Sequence, residues 1–288
     1  MRRIIVGFDG GWESRDALRL GAAFANLMHA ELIVTAVLDS PREFDTMAAR
    51  YFDTVFDEAR RELPDGDFGT RRVRGVSAPV GLRDVAVAEQ AELIVIGSTH
   101  RGFLGRVVPG SVGERLLSQA PCAVAVAPRG FARGEHFGLG LVGIAFDGSQ
   151  ESEAALDVAG RLAARLDARL RVITIVPRPA STGDRTLGTV LDDRGREIQR
   201  QASERVQPSA DVEFALEQGD PVPSLARHGV DLDLLVTGSR GYGPIRRMLM
   251  GGVSGDAMQA AACPVLVVSR TALLHTDHDE LVADGTHA

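Results

Sequence analysis

Two stretches of the chain carry the residue types that hold an anion. Residues 97–116 read GSTHRGFLGRVVPGSVGERL, and residues 238–257 read GSRGYGPIRRMLMGGVSGDA. Each opens with Gly-Ser at the end of an apolar run, carries several arginines, reaches another glycine and then turns into a helix start. Glycines let backbone N–H groups approach an anion closely and allow positive φ. The first turn of the following helix has unpaired N–H groups and the positive end of a dipole. Ser111 adds a hydroxyl there. Arg101, Arg106 and Arg115, or Arg240, Arg246 and Arg247, could supply guanidinium groups. That chemistry suits a phosphate-bearing ligand. A strand-end glycine and a helix-capping serine are also what any βα loop needs. The weight comes from an aspartate after the first strand of each half, Asp9 in FDGGWES and Asp147 in FDGSQES.

The elements that must position these residues occur twice. VGFDGGWESRDAL returns as IAFDGSQESEAAL; Asp9 and Asp147 are 138 residues apart, while Gly97 and Gly238, like Cys122 and Cys263, are 141 apart. Features recurring in order at a nearly constant offset mean two copies of one domain. We place the copies at residues 1–128 and 139–270, with a Gly-rich, charged linker at 129–138 and an acidic, His-bearing tail at 271–288 expected to be disordered. In the first copy RRIIVGF, ELIVTAVL, FGTRRVRG, ELIVIGS and CAVAVAP read as strands. Helical spacing lies between them; Ala17, Leu20, Phe24 and Leu27 share one face. The second copy repeats the alternation. Strand alternating with helix predicts an α/β fold: two tandem doubly wound domains, each a five-stranded parallel sheet with helices on both faces. FGTRRVRG and VEFALEQ, the third strands, carry the weakest pattern. Ligands of such sheets bind beyond the carboxyl ends of the strands, where Asp9, Asp147, Gly97 and Gly238 fall.

Composition excludes several function classes. The 288 residues contain no lysine; all 32 basic residues are arginine. A Walker-type phosphate loop and lysine Schiff-base chemistry are therefore ruled out. A net charge of −7 argues against nucleic-acid binding by bulk electrostatics. No apolar run approaches a membrane span, and two cysteines fit a reducing compartment, so the cytoplasm is the expected location. Cys122 and Cys263 read as small buried hydrophobes. No Cys/His metal motif and no nucleophile elbow occurs, and His100 has no partner that would make it a general base.

The FDGGWES and FDGSQES starts, the two glycine-rich loops and the CAVAVAP and CPVLVVS final strands resemble the universal stress protein family, from about Arg2 to Ser269. The family signature is Gly, two residues, Gly, nine residues, Gly, then Ser or Thr. The resemblance implies a Rossmann-like (adenine nucleotide alpha hydrolase-like) sheet that binds ATP, with magnesium carried by the nucleotide, and dimerisation through the last strand. In the first copy Gly97, Gly110 and Ser111 match the signature; its second glycine position is His100, with Gly102 two residues later. In the second copy Gly238, Gly241 and Gly251 match, and Gly252 replaces the hydroxyl residue. Asp9 and Asp147 match the acid on the adenine or ribose side. Val37 and Ile175 match the position whose backbone meets the adenine edge, and Val112 and Val253 offer an N–H to phosphate. The implied protein is a stress-response regulator without catalytic turnover, an internal pseudo-dimer that forms a homodimer. Its rivals are a nucleotide-independent interaction scaffold with degenerate loops and a slow ATPase.

Overall fold

A computed structural model describes residues 2–39, 45–99, 107, 110–134, 138–178, 185–206, 211–239 and 262–268. The first copy runs β1 (Arg3–Gly7), α1 (Trp12–Met28), β2 (Glu31–Leu38), α2 (Asp45–Glu62), β3 (Gly69–Arg74), α3 (Ala78–Ala88), β4 (Leu93–Gly97), α4 (Ser111–Gln119) and β5 (Ala123–Ala127). The second runs β6 (Leu141–Ala145), α5 (Gln150–Leu166), β7 (Arg169–Val176), α6 (Arg185–Arg205), β8 (Val212–Gln218), α7 (Pro221–His228), β9 (Leu234–Gly238) and β10 (Val265–Val268). The strands form one ten-stranded sheet in the order β3-β2-β1-β4-β5-β10-β9-β6-β7-β8. Pairing is parallel within each copy and antiparallel only at the junction, where Val265, Leu266 and Val267 face Val126, Ala125 and Val124. The two five-stranded sheets are thus continuous through their last strands, and each covers an edge the other would expose.

Period-two alternation explains the layering. Ile4, Val6 and Phe8 project into a core closed by α1 and α2, with α5 and α6 at the far end of the same face. Ile5, Ile94 and Ile96 project into the opposite core, closed by α3, α4 and α7. Strands buried on both faces need apolar residues at successive positions, which is why the central strands read as continuous runs. The third strands are the two sheet edges, and this accounts for their blurred pattern. On β3, Arg71 pairs with Glu89 at 2.5 Å and Arg72 with Asp53 at 2.9 Å, and the Arg72 guanidinium lies over the Phe52 and Phe56 rings. Charges on an edge strand discourage further strand addition.

The linker is fastened rather than loose. After β5, residues Phe131–Arg133 form a single 3₁₀ turn entered through Gly130 at φ 85. The buried Asp16 carboxylate of α1 accepts the N–H groups of Gly130 and Ala132, both at 2.7 Å. Burial raises the Asp16 pKa above its ordinary value, against the lowering effect of those two bonds. The Arg165 guanidinium of α5 also donates to the Met28 carbonyl at the end of α1, 2.8 Å away.

Candidate functional site

Each candidate site is built on the loop that leaves the first strand of its copy. In the first, Asp9 follows β1, and Gly10 turns the chain at φ 85. Asp9 Oδ1 accepts the Gly11 N–H at 2.9 Å and lies 2.7 Å from the Ser14 hydroxyl. That hydroxyl is also 3.0 Å from the Gly11 carbonyl oxygen, so one proton serves two acceptors. In the second copy Gly148 makes the same turn at φ 77. Asp147 Oδ1 accepts from the Ser149 N–H at 3.0 Å and the Ser149 hydroxyl at 2.6 Å. Ser149 Oγ in turn accepts the Ser152 N–H at 3.3 Å and caps α5. Burial pushes the Asp147 pKa up, but the Ser149 hydroxyl and N–H and the Ser152 hydroxyl together hold it below the ordinary carboxylate value. Both aspartates are exposed, and neither Oδ2 bonds to a described residue. Each therefore fixes one oxygen and presents the other.

Gly97 and Gly238 work differently from an anion loop's usual glycine. Neither has positive φ. A Cβ on Gly97 would collide with the Glu13 carbonyl oxygen in the first turn of α1, and one on Gly238 with that of Glu151 in α5. The first signature glycine thus brings the aspartate's helix against the end of the fourth strand. That approach places the Asp9 turn beside the carboxyl end of β4, because β1 and β4 are neighbours.

The anion end of the first site is the start of α4. Gly110 is its N-cap at φ −77, and, being glycine, it supplies no side-chain cap. Among the described residues, a Cβ on Gly110 would meet nothing closer than Thr99 Cβ at 3.5 Å. Ser111 is exposed, and Val112 is partly buried against the α3 and α4 core. The Glu114 N–H makes the first intrahelical bond, to the Gly110 carbonyl. The N–H groups before it are those a helix leaves for a ligand or water. Val37 is paired with Val73, and Ile175 with Glu217; both side chains pack into the core, leaving only backbone for a ligand. His100, Gly102, Gly241, Gly251, Gly252 and Val253 lie outside the described residues, as do Arg101, Arg106, Arg240, Arg246 and Arg247. Arg115 is exposed on α4.

Because the copies meet through antiparallel strands, their carboxyl ends point in opposite directions, and the two aspartates lie at opposite strand ends of the sheet. Sequence reasoning missed Ser14 and Ser152, five residues after each aspartate; the shared Glu-Ser pair in both halves was the available signal. It also missed Glu58 and Gln201, which reach over Gly10 and Gly148 from α2 and α6. Trp12 opens α1 with 70% of its surface exposed, and the guanidinium carbons of Arg15 and Arg133 lie 5.0 and 6.0 Å from its ring. Neither Cys122 nor Cys263 forms a disulfide; both are buried, and burial pushes both thiols up to about 12. Among the described residues no group of three or more His, Cys, Asp or Glu could hold a metal ion, and no helix is long and apolar enough to cross a membrane.

A duplicated, doubly wound sheet with an aspartate after the first strand and a glycine-led helix after the fourth defines a class of tandem Rossmann-like proteins. The model of the universal stress protein family matches residues 1–128 and again 141–269. The chain belongs to that family. It is 28% identical over 293 residues to universal stress protein Rv2319c of Mycobacterium tuberculosis, covering 92% of this chain and 99% of the relative. A universal stress protein of Mycolicibacterium smegmatis is 28% identical over 287 residues, covering 92% and 96%. The crystal structure of a universal stress protein from Archaeoglobus fulgidus has the same fold, with TM-score 0.65 and 18% identity over 93% of this chain and 98% of that one.

Proposed function

We propose that the protein binds an adenine nucleotide, ATP with its magnesium, at the carboxyl ends of the strands, and acts as a stress-response regulator through that occupancy. The observation that carries the reading is bipolar. In the first copy a carboxylate with one spare acceptor oxygen, Asp9, follows β1, and the N-terminus of α4, whose N-cap is glycine, comes after the neighbouring β4. A spare carboxylate oxygen suits the hydroxyl donors of a ribose, and a bare helix start suits phosphate. Backbone at Val37 borders the same strand ends and offers an edge for a base. The second copy keeps the carboxylate half of this arrangement at Asp147. The reading is one of binding without turnover.

Calorimetric titration of nucleotide-free protein with magnesium ATP tests this. Binding that D9A removes assigns the first site, and D147A reports on the second. G110D is the sharper variant. An aspartate N-cap supplies its own carboxylate to the free N–H groups of α4, so the nucleotide is lost while stability holds or rises by a few tenths of a kcal/mol. No heat of binding up to millimolar ATP removes the reading and leaves an interaction scaffold.

A further inference from the structure

Superposing the copies on their own repeat exposes an ion-pair clamp whose charges are reversed. In the first copy Arg15 of α1 bridges to two acids of α2, Glu62 at 3.1 Å and Glu58 at 3.5 Å. In the second copy the position of Arg15 is Glu153 and that of Glu62 is Arg205. These two pair at 2.7 Å, and Arg205 also reaches Asp157 at 3.5 Å. The correspondence of the helices is fixed by independent contacts. Ala59 and Ala202 are both fully buried, and Glu58 and Gln201 cover the equivalent glycines Gly10 and Gly148. A single reversal would set like charges against each other, so the two ends of the clamp are coupled.

The clamp spans the boundary of a unit that could be traded between copies. Inside α2–β3, Arg72 of the strand lies over Phe52 and Phe56 of the helix. Inside α6–β8, Leu216 of the strand fills the space above Gly195, which takes the place of Phe52. Each unit is packed within itself and would travel intact. What joins it to the rest of its copy is parallel backbone pairing with β2 or β7, apolar packing of its helix on the shared core, bridges from its strand such as Arg71–Glu89 and Arg227–Glu217, and the helix–helix clamp, the contact whose charges are reversed between the copies. A further bridge at that boundary, Arg171 to Glu213 at 3.0 Å, meets Ile33 and Gly69 in the other copy and discriminates only by its loss.

We infer that the reversed polarity of the Arg15–Glu62 and Glu153–Arg205 clamps keeps α2–β3 and α6–β8 each with its own copy, opposing their exchange within one chain and between two copies of this chain. A crossed arrangement sets Arg15 against Arg205 and Glu153 against Glu62. Exchange between similar domains is a characteristic failure of tandem chains, and like-charge contacts in the wrong assembly are how related interfaces are kept apart.

The test is refolding of the full chain from denaturant at micromolar concentration and low salt, read by size-exclusion chromatography and limited proteolysis. Arg19 stands where the second copy has Asp157, so the variant R15E/R19D/E58Q/E62R gives the first clamp the composition of the second; the native pair survives while both crossed pairs become attractive. We expect on the order of tenfold more non-native monomer and exchanged dimer than for the wild type. Salt at about 1 M should narrow the gap, since screening removes the discrimination. Adding E153R/D157N/R205E reverses the second clamp as well and should restore the wild-type yield. That recovery reads out polarity even where the first variant does not fold. Equal refolding of the wild type and the first variant, or no recovery on full reversal, overturns the proposal and leaves two ordinary helix bridges.

Discussion

The turns after β1 and β6 place one carboxylate oxygen with different sets of hydroxyls. At Asp9 a single hydroxyl, Ser14, is shared between the carboxylate and the Gly11 carbonyl, and α1 has no side-chain cap. At Asp147 there are two. Ser149 serves the carboxylate and caps α5, and the Ser152 hydroxyl lies 2.9 Å from the Ser149 carbonyl while also helping to hold the Asp147 pKa down. The backbone path is the same, set by left-handed glycines at φ 85 and 77. The difference is one Cβ hydroxyl, Ser149 for Gly11. Position of the aspartate is therefore a property of the fold, whereas the spare hydrogen-bonding capacity around it is a property of the copy. Gly11 supplies no side-chain cap to α1, whereas α5 spends one N–H on its own serine.

The harshest way to break this comparison is to separate the aspartate turn from the fourth strand in each copy. A Cβ at Gly97 or Gly238 meets backbone, the carbonyl of Glu13 or Glu151, which has no rotamer to move. We expect G97A and G238A each to cost about 3 kcal/mol or more, at the upper end of overpacking effects, measured by urea unfolding. A cost under about 1 kcal/mol would mean that the helix starts can shift freely, and that these glycines serve the loop rather than the packing.

This shared role was only half legible in the sequence. The repeat, the alternation of strand and helix and the strand-end positions of Asp9, Gly97, Asp147 and Gly238 could be read because period and punctuation are local. The purpose of Gly97 could not, because it depends on a helix start some eighty residues earlier. The weak third strands were blurred for a similar reason: Arg71 and Arg72 look wrong for a strand until Glu89 and Asp53 are in place. The linker read as punctuation alone, since nothing local shows that Asp16 captures the N–H groups of Gly130 and Ala132. The continuous sheet followed from the expected pairing of the last strands, but its register had to come from three dimensions.

Asp16 offers the next contrast, because the second copy has Ala154 in its place. Truncation in D16A leaves two N–H groups of the linker without their acceptor and should cost about 1–3 kcal/mol at neutral pH. The pH dependence has a definite sign. The folded pKa is raised by burial, so the stability Asp16 contributes is full below its unfolded value near 3.8 and declines as pH rises through the folded value. Subtracting the stability curve of D16N from that of the wild type should show that decline. A difference that is flat with pH would mean that the two short bonds offset the burial.

The smallest effect addresses the comparison itself, by exchanging Gly11 and Ser149. S149G removes the α5 cap and one bond to Asp147, and should cost about 0.5–1.5 kcal/mol at pH 7. The folded Asp147 pKa is depressed, so its contribution is present above the unfolded value near 3.8 and is lost as pH falls through the folded value. S149G should shrink that acid-side loss and move the Asp147 titration upward, which carboxyl-detected NMR follows directly. G11S should cap α1 and release Ser14 to the carbonyl of residue 11, with a gain of no more than a few tenths of a kcal/mol, since its Cβ comes within 3.0 Å of Asp9 Oδ1. If S149G leaves the Asp147 titration where it was, Ser152 can take over as Ser14 does. The two turns would then be interchangeable in chemistry as well as in path.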